Sequence, residues 1–395
     1  MEIKRKVGGV VIMHSNHNNY GTSLQGFATV RIVQKLGYSF RIIRYHKKRT
    51  FKEMLVTIPG LLKSGALVEI RTRILKRANV QFRKRYAENL AERTSKVNKF
   101  KMKYFDCISD FYTGYKELQE GSLNYDVIFV GSDQVWGPLS LYAGFYNLLF
   151  VDESVPEFSY ASSFGVSEIL PWQIKGTKEY LEKLDAVGVR EQQGKDIVDR
   201  LSKHSAKVVA DPTMLLSREE WSECISESTV TIDEPYILSY VLGSRQNVRD
   251  TIMKLGKETG LKVVCFRHMD WYVPQDECFG DIPVWKADPL DFVKLLSNAE
   301  YICTDSFHGT VFSALFQKKF VTFYRQDPTS LKSTHSRIDN LLNILGLESR
   351  LASGEQSVEL QMKQDINYIL VDKRIKILRD DSLEFLTKCL NIKKS

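Results

Sequence analysis

Residues 300–316, EYICTDSFHGTVFSALF, decide how this chain folds. Tyr301, Ile302 and Cys303 read as a short buried strand, and Val311, Phe312, Ala314, Leu315 and Phe316 read as the apolar face of a helix. Between them lies TDSFHGT, with a lone histidine, His308, at the strand-to-helix turn. In α/β proteins such turns stand at the carboxyl ends of strands, where ligands gather. The free amides and positive dipole end of the helix favour a phosphate or carboxylate there, and an imidazole can move a proton near neutral pH. A helix cap beside a hydrogen-bonded histidine would leave the same pattern, so the rest of the chain has to decide.

Outward from this turn the α/β pattern continues in both directions. Downstream of a polar stretch at 217–235, strands are expected at 236–242, 262–266 and 319–324, with helices at 247–259, 288–297, 336–345 and about 366–390. Upstream, a strand at 7–14, a polar turn at 15–21, a helix at 22–36 closed by Gly37 and a strand at 38–44 make a βαβ unit. Further strands are expected at 125–130, 158–164, 185–189 and 207–209, with helices at 171–184 and 191–201. The pattern predicts an α/β fold of two Rossmann-like domains facing a cleft: an N-terminal domain at 1–216, a linker at 217–235 and a C-terminal domain at 236–395. The strand ends carry 16–21, 131–136, Arg190, Asp211 and 304–309, polar groups that could converge on the cleft.

A chain of 395 residues with 43% hydrophobic content is long enough for two cores. The cysteines Cys107, Cys224, Cys265, Cys278, Cys303 and Cys389 lack paired spacing, which suits reduced thiols and argues against a disulfide framework or a zinc site. The charged start at 1–6 and the short apolar run at 10–13 do not read as a signal peptide or a spanning helix, so the expected location is the cytoplasm. The net charge of +8 is unevenly placed: residues 41–105 hold 19 Lys or Arg against 4 Asp or Glu, and the remainder is net acidic. This reads as an amphipathic, basic, helical insertion at about 45–105. Its charges could face solvent, an acidic glycan or the anionic inner face of a membrane. Few aromatics interleave with them, which argues against nucleic acid.

Seven strings resemble, in order, the polysaccharide pyruvyl transferase family: NYGTSLQGFA (19–28), YDVIFVGSDQVW (125–136), YASSFG (160–165), VREQQG (189–194), ADPTMLL (210–216), TDSFHGTVFS (304–313) and SRIDNLL (336–342). The basic insertion has no counterpart in this resemblance. The family implies the architecture of the B-type glycosyltransferases. It also implies transfer of a pyruvyl group from phosphoenolpyruvate to a sugar of a surface polysaccharide or its lipid-linked precursor, forming a cyclic ketal, with no metal or other cofactor. By resemblance His308 matches a donor-site histidine, Arg190 a donor-binding arginine, and Asp133 lies in a first-domain active-site loop.

The residue chemistry sits comfortably beside this. A donor carrying a phosphate and a carboxylate needs fixed cations and amide donors, which Arg190 and the turn Ser306, His308, Gly309 and Thr310 offer. His308 is open to three roles: acid, base or phosphate ligand. Asp133 could accept a proton from an acceptor hydroxyl or simply cap a turn. Arg337 could add charge at the phosphate or form a surface ion pair. Asp305 and Ser306 suit helix capping. His17, Asn19 and Tyr20 in the first strand-end loop, with Gln134 and Trp136 in the second, suit the hydroxyls of an acceptor sugar. Two other readings share the fold: a glycosyltransferase with a nucleotide-sugar donor, and a non-catalytic glycan or membrane adaptor.

Overall fold

A computed structural model describes residues 7–13, 19–48, 74, 78, 81–137, 144–166, 168–268, 272–326, 336–352 and 357–394. Two sheets, parallel throughout, organise them. The first takes β1 (Val7–Val11), β2 (Ser39–His46), β3 (Ser109–Thr113), β4 (Val127–Val130), β5 (Glu157–Ser162), β6 (Ala186–Val189) and β7 (Lys207–Val208), in the order β3-β2-β1-β4-β5-β6-β7. The second takes β8 (Tyr236–Tyr240), β9 (Lys262–Phe266), β10 (Ile282–Val284), β11 (Tyr301–Thr304) and β12 (Lys319–Thr322), in the order β10-β9-β8-β11-β12. Central strands such as VIFV of β4 are buried at every position, as expected of strands covered by helices on both faces.

The helices of the first lobe are α1 (Tyr20–Lys35), α2 (Lys84–Tyr104), α3 (Tyr115–Ser122), α4 (Ile174–Lys183), α5 (Gln192–Leu201) and α6 (Arg218–Cys224). Those of the second are α7 (Gln246–Thr259), α8 (Pro289–Asn298), α9 (Phe307–Leu315), α10 (Ser336–Leu345), α11 (Val358–Lys363) and α12 (Tyr368–Leu390). Each sheet reverses its winding once, between β1 and β4 and between β8 and β11. α1 therefore starts at one such switch point and α9 at the other, where ligands bind in sheets of this kind.

The lobes share one apolar core. Trp221 of α6 packs against Phe27 of α1 at 5.8 Å and Phe312 of α9 at 4.9 Å between ring centroids. Tyr20, expected at the acceptor, belongs to this interface instead. It is fully buried, stacks on Phe292 at 5.0 Å, and donates its hydroxyl to the Ala287 carbonyl at 3.1 Å. A large ring with an inward-facing hydroxyl partner gains more from this seat than from a sugar.

The basic helix also departs from the expectation of a free charged face. Arg93 lies 4.0 Å above the Tyr20 ring and donates to the Arg267 carbonyl, Lys96 pairs with Asp291 at 3.2 Å, and Lys103 pairs with Glu227 at 2.8 Å. α2 is thus a strap from the first lobe onto the second. Residues 49–73 of the insertion lie outside the described residues. Sequence reading also missed β3, a short edge strand with exposed alternate residues, and β10, three residues long. α12, placed by chain order with the second domain, ends on the first: Lys207 pairs with Asp381, and the Ala210 amide donates to Ser382 Oγ at 2.8 Å. Among the described residues no helix is long and apolar enough to cross a membrane.

Candidate active site

The carboxyl ends of β4, β6, β7 and β11 deliver Asp133, Arg190, Asp211 and His308 to one place. Arg190, nearly fully buried after β6, donates through Nη1 to Asp211 Oδ2 at 2.9 Å. Its Nη2 lies 3.8 Å from Asp133 Oδ1 and its Nε 3.7 Å from Glu191 Oε2. The guanidinium sits 4.5 Å above the ring of Phe307, the residue before His308 in the other lobe. His308 points its Nε2 at the same Asp211 oxygen, 3.5 Å away. The expected pair therefore converges on a single carboxylate.

Asp211 had a strand-end position in the sequence but no role. Its side chain is fully buried, and besides Arg190 it accepts from Ser132 Oγ at 2.8 Å and from the amide and hydroxyl of Thr213 at 3.0 and 2.7 Å. Burial alone would favour the neutral acid. That effect is outweighed by His308, Arg190 and Thr213, which hold the carboxyl far below the usual carboxylate range. The proline that follows in ADPT was the signal available: it ends β7 and turns Asp211 inward as the cap of the 3-10 turn Pro212–Met214.

The turn before α9 is built as its sequence implies. Ser306 caps the helix, with Oγ accepting from the Gly309 amide at 3.3 Å. Gly309 is required, because a Cβ there would stand 2.4 Å from Thr304 Oγ1. Thr310 is buried and bonds to the Ser306 carbonyl and to Thr322. Asp305 does not cap this helix; its two oxygens accept from the Leu242 and Gly243 amides at 2.7 Å each, tying the loop after β8 to the site. The imidazole of His308 faces the first turn of α1. A Cβ on Gly21 would lie 2.1 Å from His308 Nδ1, so the two helix starts meet at closest approach.

Asp133 adopts φ +85°, a strained value for a residue with a side chain. Thr22 Oγ1 donates to its Oδ2 at 2.8 Å and the Gln134 amide to its Oδ1 at 2.9 Å. Burial pushes its pKa up, but Arg190, His308 and the Thr22 hydroxyl outweigh this and leave it lowered. Arg337, at the start of α10, has no ion-pair partner among the described residues, unlike the surface pair that its position also allowed. Burial first, then the nearby Arg190 and Arg325, push its pKa down to about 10. Buried N–H groups without a close hydrogen bond cluster here: Arg190 Nε and Nη2 and Arg325 Nε reach carboxylates only at 3.7–3.8 Å, and Arg337 Nε has no hydrogen-bond partner among the described residues. Unmet N–H groups between two helix N-termini are the makings of a site for a small anion.

Of the residues expected at an acceptor, Asn19 caps α1 through Thr22, and Gln134 packs its amide against Gly165. Trp136 is buried and turned away, donating Nε1 to the Tyr146 carbonyl at 3.0 Å and packing on Phe164 and Tyr180, because a ring of that size completes the core under its loop. His17 lies outside the described residues.

The family model described as polysaccharide pyruvyl transferase matches residues 19–327 of the chain. A search of curated proteins finds no match. Among solved structures, UDP-GlcNAc 2-epimerase from Methanocaldococcus jannaschii aligns with a TM-score of 0.52 at 11% identity, covering 98% of this chain and 99% of that one. A putative UDP-N-acetylglucosamine 2-epimerase from Listeria monocytogenes aligns with a TM-score of 0.50 at 10% identity, covering 99% of each. Likeness at this identity speaks for the fold alone: two Rossmann-like domains in the B-type glycosyltransferase arrangement.

Proposed function

The chain belongs to the polysaccharide pyruvyl transferase family, and from that premise we propose that it transfers a pyruvyl group from phosphoenolpyruvate to two hydroxyls of a glycan, forming a cyclic ketal. One observation carries the donor assignment: Arg190 and His308, from opposite lobes, meet at Asp211, and buried N–H groups of Arg190, Arg325 and Arg337 lack a close hydrogen bond there. Phosphoenolpyruvate offers the acceptors those donors lack, a phosphate and a carboxylate. Arg190, Arg325 and Arg337 with the amides at the start of α9 would hold both.

In this reading an acceptor hydroxyl adds to C2 of the enol ester and gives up its proton, while the methylene carbon takes a proton and becomes a methyl group. Inorganic phosphate then leaves, and the second hydroxyl adds to C2 and loses its proton, which closes the ring. In this scheme His308 passes these protons. Asp211 stays ionised and orients it. Asp133, also ionised, is placed to orient the acceptor hydroxyl. No metal or other cofactor enters the scheme. The acceptor is a surface polysaccharide or its lipid-linked precursor at the cytoplasmic face of the membrane, where Lys84, Arg85 and Lys99, exposed on α2, would meet anionic lipid. Co-sedimentation with anionic vesicles that fades as salt rises tests that contact.

Calorimetric titration with phosphoenolpyruvate and with a panel of nucleotide sugars tests the donor. Saturable binding of phosphoenolpyruvate, lost in His308→Ala and Arg190→Ala, is expected. Binding of a nucleotide sugar alone would refute the assignment.

A further inference from the structure

A second hollow, about 690 Å³, opens at the carboxyl ends of β2 and β3 beneath α2. Its lining includes Arg44 and His46 of β2, Phe111 of β3, Asp106, and Asn98 and Met102 of α2. Phe111 stands 65% exposed, an aromatic ring presented to solvent with no partner ring among the described residues. Arg44 backs that ring at 5.9 Å and is itself fixed, with Nη2 on Asp106 at 2.6 Å and Nε on Ser109 Oγ at 3.2 Å. The floor is therefore rigid and charge-paired. Beside that ion pair the lining offers the Asn98 amide, the His46 imidazole and the Lys101 side chain.

We propose that this hollow is the subsite for the inner sugars of the acceptor glycan. A pyranose ring turns a face of C–H bonds to an aromatic platform and its equatorial hydroxyls to side-chain amides and carboxylates, which is the set displayed here.

Position adds to chemistry. Ile42 of β2 and Phe129 of β4 both lie level with Val10 of β1, so Arg44 stands level with Gly131 and overhangs the sheet edge that carries Asp133. Phe111 of β3 is the register partner of Arg44, and three strand spacings separate β3 from β4, about 14 Å, a gap that a trisaccharide spans. Described residues link the two: Tyr45 in the hollow packs on Phe145 at 5.5 Å, and the next residue, Tyr146, accepts at its carbonyl from Trp136 of the Asp133 loop. Burial raises the pKa of the Tyr146 hydroxyl, the charge of Asp133 adds to the rise and that of Arg44 opposes it, so both charges reach this ring. A chain of sugars resting on Phe111 could thus place its terminal diol beside Asp133.

The inference rests on the transferase reading, and the test separates the two. Saturation-transfer NMR is run with trisaccharides and tetrasaccharides ending in galactose, glucose, mannose, N-acetylglucosamine or N-acetylmannosamine, alongside calorimetry with phosphoenolpyruvate. The expected result is that at least one oligosaccharide binds, that Phe111→Ala weakens it about tenfold, and that Asn98→Trp, which fills the hollow, abolishes it. Phosphoenolpyruvate affinity should stay within about twofold of the parent in both variants. Phe111 and Asn98 are exposed, so both proteins should fold, and circular dichroism checks this. If no oligosaccharide binds, or if binding survives both substitutions, the subsite is refuted. Glycan binding lost as expected in a protein that ignores phosphoenolpyruvate would instead refute the donor and leave the subsite standing.

Discussion

Adding one methyl group at Gly21 should disable a histidine on the other lobe. Built on the backbone, the new Cβ would stand 2.1 Å from His308 Nδ1, 2.6 Å from Cγ and 2.9 Å from Cε1, whereas ordinary contact begins near 3.4 Å. The ring edge would have to recede by about 1.3 Å. It cannot do so cheaply along its own helix, because Gly309 is held against Thr304 and Ser306 caps the turn. The displacement would pull Nε2 away from Asp211, to which it now points at 3.5 Å. Misplacing a reacting group by about 1 Å costs roughly a hundredfold in rate. Alanine is the better helix former by about 1 kcal/mol, so the helix itself should not suffer. The assay is phosphate release from phosphoenolpyruvate in the presence of a lipid-linked glycan fraction, with the ¹⁵N shifts of the His308 ring as a second readout. We expect turnover to fall about a hundredfold in Gly21→Ala, and no further fall when the same change is made in His308→Ala. An equal loss in both backgrounds would mean that the methyl acts elsewhere, and the geometry argued here would be wrong.

Asp211→Asn should cost about 3 kcal/mol in urea unfolding, since Arg190 would keep its burial and lose its closest counter-charge; a cost under about 1 kcal/mol would show that Asp133 and Glu191 suffice. Tyr20→Phe should lose about 1 kcal/mol with the Ala287 hydrogen bond and leave the acceptor KM unchanged; a raised KM at parental stability would return Tyr20 to the acceptor site. Glu157 is buried beside Lys183, and its desolvation outweighs that lysine and pushes its pKa up to about 7. The folded state therefore binds this proton more tightly than the unfolded one, and stability falls as pH rises from the ordinary carboxylate range to about 7. Glu157→Gln should flatten that fall, worth ~3 kcal/mol, in thermal melts at pH 5 and pH 8; Lys183 keeps the carbonyls of Leu148 and Val151. An unaltered pH profile would refute it.

The parts of the fold that were legible in sequence are those with strong local signals. Buried strands such as VIFV and YICT, and the helix Ser336–Leu345 that opens with SRIDNLL, stand where periodicity put them. β3 and β10 were not legible because an edge strand of few residues with exposed alternate positions carries no apolar run. At the candidate site, the strand-end positions of His308 and Arg190 were legible, while their donor roles came only through the family resemblance. Tyr20 and Trp136 misled for one reason: an aromatic in a polar loop looks like a ligand platform, and only the arrangement of the lobes reveals that a core lies behind it. The same limit hid the destination of the basic helix. Charge clustering is visible in one dimension, but Asp291 and Glu227, which it meets, lie more than a hundred residues away.

The return of α12 has a consequence for how the molecule is made. Ser382 supplies the hydrogen bond of an amide 172 residues earlier, and Phe385 lies against Gly188 of β6. While the ribosome is still translating the second lobe, β7 waits with its outer rim bare, a nascent sheet able to recruit a stray strand. Chaperone dependence of this protein should therefore concentrate in the interval between synthesis of residue 210 and emergence of residue 382.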